Sequence, residues 1–269
     1  MPSLSVPGAE LHYDSAGSGP PLVLVHGSAT DSTTWTPVVN DLAAHHRVIT
    51  YDRRGYGRCT QDPVRDHRIH ADDLRALLTR VVGEPAHVVG WSAGGNVALA
   101  TAVNHPALFS GLCIVEAPFH GIRHADRGVM SVALRLKLLQ ALGRRTGAAE
   151  VFLRWASGLR SGGNSFDRLE PDLREGLLAY ADNILAEWDP HPYGIMVEHV
   201  SAAAVADLDI PITWVLGSES LPWLHGLQAR VADARPDMVT VVVPGAGHLV
   251  HHDAPQEFVR AVRSTVSAA

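Results

Sequence analysis

Sulfur is scarce in this chain: two cysteines and four methionines among 269 residues. Cys59 follows a turn signal and Cys113 lies inside an apolar run. Two such cysteines read as reduced thiols of a cytoplasmic protein, not as a disulfide framework. Long apolar runs are missing as well. No stretch approaches the ~18 consecutive apolar residues of a spanning helix. The opening MPSLSVPGAELHYDSAG has no cationic start followed by an apolar run, so no secretory signal is expected. Internal repeats and low-complexity tracts are absent. Neither a G-x-x-x-x-G-K-[ST] loop nor a Rossmann G-x-G-x-x-G is present, so no nucleotide or nicotinamide cofactor is implied, and none is expected.

Charge is also modest. Charged residues make up 19% and hydrophobic residues 46%, with a formal net charge of −6. That composition fits a soluble globular chain and gives no electrostatic reason to expect nucleic acid or an anionic membrane as partner. Basic residues recur in RLKLLQALGRR (135 to 145), interleaved with leucines at helical spacing. A helix with one solvated face is expected there, in preference to a membrane-surface helix. HRIHADD (67 to 73) resembles a ligand run but lacks the H-x-H-x-D-H spacing of binuclear metallohydrolases. Its acids and histidines are expected on the polar side of a helix, and no metal is expected.

What the chain does contain is a rhythm. PLVLVHG, HRVITYD, AHVVGWS, LCIVEAP, ITWVLG and VTVVVPG are short, β-branched and continuously apolar, as strands covered on both faces should be. Helical patterns such as DHRIHADDLRALLTRVV and GGNVALATAVNHP lie between most of them. Such alternation implies parallel strands joined by right-handed crossovers, hence a doubly wound α/β sheet. From about 119 to 209 the pattern is helical only, broken by SGGNS and DPHPYG. This excursion predicts a helical cap at 119–209 inserted into a core made of 1–118 and 210–269.

GWSAG, Gly90 to Gly94, follows a predicted strand and opens a predicted helix, the context a G-x-S-x-G nucleophile turn requires. It nominates Ser92 as nucleophile, with the amide of Ala93 at the helix start facing an oxyanion. GAGH after the last strand nominates His248 as general base and then general acid. His251 and His252 are expected near the outer start of a following helix, without a role. VHGSA ends an early strand, and the backbone N–H of Ser28 is the second oxyanion donor it can supply.

The ordered set LVLVHG, VITYDRRGYG, HVVGWSAGG and VPGAGH resembles the α/β-hydrolase superfamily along essentially the whole chain. The resemblance implies Ser92 as nucleophile, His248 as base, Ser28 and Ala93 as oxyanion hole, and a lid between the sixth and seventh strands. It also implies an aspartate three residues past Gly217, where this chain has Ser220. A serine cannot hold the negative charge that stabilises an imidazolium. Two carboxylates compete for the role. Glu219 is one residue displaced. Glu116 ends LCIVEAP at the sheet edge shared with Ser92 and His248, and a buried strand has little reason to end in an unpaired acid. Some members of the superfamily, including haloalkane dehalogenases and zearalenone-lactone hydrolases, carry the acid as a glutamate after this sixth strand. Glu116 is therefore favoured, with Glu219 the alternative.

An aspartate nucleophile would suit dehalogenation, whereas a serine supports acyl transfer through an acyl-serine. The expected substrate is a small neutral or weakly polar ester or lactone, since no arginine cluster is visible. Candidate contacts are Phe119, Met130, Leu134, Phe152, Trp155, Trp188, Tyr193 and Met196, with Trp188 and Trp91 foremost. Carbon–carbon bond hydrolysis or perhydrolysis on the same residues, or a non-catalytic small-molecule receptor, stay open as alternatives. A homodimer is compatible with this reading.

Overall fold

A computed structural model describes residues 2–118, 127–188 and 200–266. Eight strands form one sheet: β1 (Ser3–Val6), β2 (Ala9–Ala16), β3 (Pro21–Val25), β4 (Arg47–Tyr51), β5 (Ala86–Trp91), β6 (Phe109–Val115), β7 (Ile212–Gly217) and β8 (Val239–Val243). Their order is β1-β2-β4-β3-β5-β6-β7-β8. The β1–β2 and β2–β4 pairs are antiparallel, and every pair from β4 to β8 is parallel.

Six of these strands match the apolar runs, and two do not. β1 and β2 are largely polar and half exposed, burying little beyond Leu4, Val6 and Leu11. An antiparallel margin with one wet face shows alternation where interior strands show a continuous run. The valine-rich β8 departs the other way. It is the outer strand, and Val239 and Val242 stand 52% and 47% exposed instead of being covered on both faces.

β3, β5 and β7 are buried at every residue, and β6 at all but Ser110. One apolar cluster joins the sheet to the helices His67–Leu77 and Ala93–Asn104; a second, around Trp35 and Phe258, joins it to Val39–Ala43 and Pro255–Val266. Helices therefore cover both faces, the doubly wound arrangement.

Between β6 and β7 the described residues form the helices Arg127–Ala141, Arg145–Ala156, Pro171–Ala179, Ala181–Glu187 and Ala202–Ala206. Leu136, Phe152, Leu153, Phe166, Ile184 and Leu185 make a third cluster, which also takes in Ala29 from the main body. The leucines of the basic stretch do not all turn inward. Met130, Leu134, Leu138 and Leu142 are 58% to 72% exposed, so Met130 and Leu134 lie at the surface. The expected contacts Phe119, Tyr193 and Met196 lie outside the described residues.

Candidate active site

β5 and the helix Ala93–Asn104 meet at Ser92, whose backbone takes φ 52° and ψ −123°. A side chain in that conformation is strained and is held by its surroundings. The surroundings are tight. A Cβ on Gly90 would lie 2.6 Å from the Gly94 carbonyl oxygen, and one on Gly94 would lie 2.2 Å from that of Val25. Glycine at both places is what lets the turn close. The Ser92 amide also donates to the Val115 carbonyl at 2.8 Å, tying the turn to β6.

His248 follows β8 on a loop. Its Nε2 lies 3.1 Å from Ser92 Oγ, and its Nδ1 lies 3.1 Å from Glu116 Oε2. The carboxylate at Nδ1 assigns the proton to that nitrogen and leaves the Nε2 lone pair facing the hydroxyl. Trp91 steadies this loop from behind, donating from Nε1 to the His248 carbonyl at 2.8 Å. Glu116 is fully buried at the end of β6 with φ 53°, the second strained non-glycine residue on this rim. Its Oε1 accepts from the Gly217 amide and from Ser220 Oγ, each at 2.7 Å. Both carboxylate oxygens thus have partners, as a buried charge requires.

Glu219 engages through its backbone. Its amide donates to Ala246, and its carbonyl accepts from Arg160. Among the described residues no hydrogen bond joins its carboxylate to His248.

Ser28 lines the same cavity as Ser92, and Ala93 is buried directly after Ser92. Ala93 opens its helix, where the first amides have no intrahelical acceptor. Ser28 follows β3, precedes Ala29 at φ 62°, and donates from Oγ to Glu187 Oε2. Ser28, Trp91, Ser92, Phe152, Leu177 and His248 are among the walls of a cavity of about 40 Å³. A second recess of about 20 Å³ meets Ser92 and His248 from the side of Trp155, Trp188 and Trp223. Trp188 thus shares a recess with Ser92, its ring 5.5 Å from that of Trp155 and 5.0 Å from Phe152. A larger chamber of about 350 Å³ shares Trp91, Leu177 and Leu249 with the first cavity and extends past Asp31, Tyr180 and His252.

Two sequence expectations are corrected nearby. His251 is not at a helix's outer start but fully buried against Trp91, with Nε2 2.8 Å from Thr34 Oγ1; burial holds it well below the usual histidine range. His67, His70 and Asp73 occupy the buried side of their helix, not its polar side. Asp73 pairs there with Arg54 at 2.7 Å. No group of three or more His, Cys, Asp or Glu able to hold a metal occurs among the described residues. Cys59 and Cys113 are buried free thiols, pushed up by burial to about 11 and about 12, far from thiolate chemistry at neutral pH.

Residues given no role from the sequence complete the surroundings. Ser220 is a donor to Glu116, Trp223 stacks on Trp155 at 5.7 Å with planes 4° apart, and Arg53 forms a buried ion pair with Glu187 at 3.1 Å. Ser220 stood out only as a departure, and no local pattern marks Glu187, whose partner is 134 residues away.

Residues 22–261 match the family model described as the alpha/beta hydrolase family. An uncharacterized hydrolase of Bacillus subtilis, YraK, is 40% identical over 107 residues, a match spanning 39% of this chain and 40% of that protein. The pimeloyl-[acyl-carrier protein] methyl ester esterase of Chromobacterium violaceum is 26% identical over 256 residues, covering 94% of this chain and 96% of that one. Among solved structures, Est816, described as an N-acyl homoserine lactone degrading enzyme, superposes with a TM-score of 0.80 at 23% identity, covering 98% and 99% of the two chains. At that identity the likeness concerns the fold.

Proposed function

The chain belongs to the alpha/beta hydrolase family, and from that premise we propose that it is a cofactor-free serine hydrolase that cleaves a carboxylic ester or lactone through an acyl-serine. The observation that carries this reading is the continuous relay Ser92–His248–Glu116, with both links at 3.1 Å.

In the first half-reaction Ser92 Oγ attacks the substrate carbonyl as its proton passes to His248 Nε2. The amides of Ser28 and Ala93 hold the oxygen of the tetrahedral intermediate, and the buried Glu116 carboxylate stabilises the imidazolium. His248 then gives that proton to the departing alkoxide, which stays attached to the acyl group if the substrate is a lactone. Water enters, loses a proton to His248, and releases the acid while Ser92 recovers its hydrogen.

The described residues of 119–209 act as the cap in this reading, bringing Phe152, Trp155 and Trp188 beside Ser92. Small apolar recesses on two sides of the nucleophile suit compact acyl or alcohol groups. Among the described residues, none lining these recesses or the adjoining chamber is Lys or Arg, which favours neutral over polyanionic substrates. The Chromobacterium protein is named for a methyl ester and Est816 for a lactone, both within this class.

A fluorophosphonate probe should label the wild type at one serine, and Ser92→Ala should abolish both labelling and turnover. A folded protein that resists the probe would point to a purely binding role.

A further inference from the structure

Arg53 is wholly buried; two of its groups reach the loop that leads away from β3, and a third reaches Glu187. Its Nη2 donates to the carbonyl of Gly27 at 2.8 Å, and its Nη1 to Glu187 Oε1 at 3.1 Å. Its own amide donates to His26 Nε2 at 2.9 Å. The other oxygen of Glu187 accepts from Ser28 Oγ. A guanidinium from the main body and a carboxylate from the end of the helix Ala181–Glu187 therefore grip two consecutive residues, 27 and 28.

Those two residues share one peptide plane. Among the described residues no peptide is cis, and in a trans peptide the carbonyl and the amide point in opposite directions. With the Gly27 carbonyl drawn onto Arg53, the Ser28 N–H must face the other way. The loop lies directly against the nucleophile. A Cβ added to Gly27 would fall 3.1 Å from Ser92 Cβ and 2.9 Å from Trp91 Cε3. Strain just beyond the peptide marks a loop that is held and not relaxed. Ala29 keeps φ 62° while fully buried among Leu136, Phe152 and Ile184.

We propose that the Arg53–Glu187 pair is a positioning device, which aims the Gly27–Ser28 peptide as one of the two oxyanion donors and makes completion of that hole depend on the cap. The proposal rests on the serine-hydrolase reading. A charged pair suits the task better than two neutral groups. A guanidinium on the carbonyl polarises the whole peptide and strengthens its N–H as a donor. Glu187 keeps the guanidinium from being an uncompensated buried charge, and Arg53, with His67 and Ser28, outweighs burial to hold the Glu187 carboxyl below its ordinary range. The hydroxyl hydrogen of Ser28 is committed to Glu187, so the donor toward substrate is the amide and not the side chain.

The test removes the pair together, because deleting one partner strands the other charge. Arg53→Met/Glu187→Leu is compared with wild type for kcat, KM and the affinity of a trifluoromethyl ketone, which adds to Ser92 and forms the same oxyanion. Loss of one donor lowers kcat by roughly 100-fold or more. The expected result is a drop of about that size in both kcat and ketone affinity, with KM little changed. A merely structural pair would alter thermal stability without separating ketone affinity from KM. Ser28→Ala, which removes only the side-chain anchor, should show a smaller fall of the same kind and decides the matter if the double variant does not fold. Unchanged kcat and ketone affinity in the variant that folds overturns the proposal. Fluorophosphonate labelling of the wild type separates the two readings: labelled wild type with unaffected variants sinks only the positioning role, and unlabelled wild type sinks both.

Discussion

Ser220 donates its hydroxyl hydrogen to Glu116 Oε1 at 2.7 Å, across 104 residues of chain. The serine stands at the tip of β7 where the superfamily resemblance calls for an aspartate, and it supports a carboxylate on β6 instead. The departure in the sequence and the buried acid are thus two halves of one arrangement.

Replacing Ser220 by alanine removes one hydrogen bond from a buried carboxylate, leaving the Gly217 amide as the other donor to Oε1. A hydrogen bond to a charged group contributes about 1.5–3 kcal/mol. Urea unfolding of Ser220→Ala should show a loss in that range, with kcat falling by roughly tenfold as Glu116 loses its orientation. A variant as stable and as fast as the wild type would mean that this contact matters to neither.

Glu116→Gln keeps shape but removes the charge beside His248 Nδ1. Its kcat should fall by about 10⁴, the scale seen when a triad acid becomes an amide. Glu219→Gln should stay near wild type. Steady-state rates on one activated ester decide it, and the reverse ranking would move the acid to β7.

Much of this could be read from the chain alone, and the remainder has physical reasons for being hidden. Interior strands announce themselves because burial on both faces leaves no polar alternation, as in Pro21–Val25. The turn around Ser92 is equally visible, because glycines at 90 and 94 are forced by contacts of a few ångströms. Ser3–Val6 and Ala9–Ala16 escape notice, since an antiparallel margin with a wet face carries too few apolar residues to stand out. The inward turn of His67 and His70 is hidden for another reason. Polar side chains announce solvent, and only the packed tertiary structure brings them beside Glu187, at 3.9 and 4.0 Å.

Buried neutral histidines give the fold a pH dependence. Burial, helped by Arg53, lowers His26 to about 3, and burial with His46 lowers His87 to about 4, both from 6.5. The unfolded chain takes up protons below 6.5 that the folded one refuses, so stability is full above that value and falls as pH drops toward 4. Each group costs about 1.4 kcal/mol per pH unit, or about 2 kcal/mol at pH 5. Thermal melts from pH 7.5 to 5 should show a falling Tm. His87→Leu should flatten the slope by about one proton, and an unchanged slope would remove His87 from this account.

Trp188 and Leu177 border different recesses, so their substitution should separate two parts of the substrate. Trp188→Ala enlarges the aromatic recess and should raise relative kcat/KM for esters bulky on that side. Leu177→Trp narrows the passage to the chamber and should raise KM for long substrates while sparing acetate-sized ones. A panel of p-nitrophenyl and alkyl esters of graded length reads both, and parallel changes across the panel would argue against distinct recesses.

Under the proposed triad, the tips of β6 and β7 are two candidate seats for one negative charge. Placing aspartate at 220 while Glu116 remains would crowd two carboxylates into hydrogen-bonding distance, where they would be forced to hold one proton between them. A lineage moving its acid from one seat to the other therefore faces a valley whose depth depends on the order of steps: vacating Glu116 first costs the charge, whereas filling position 220 first costs repulsion.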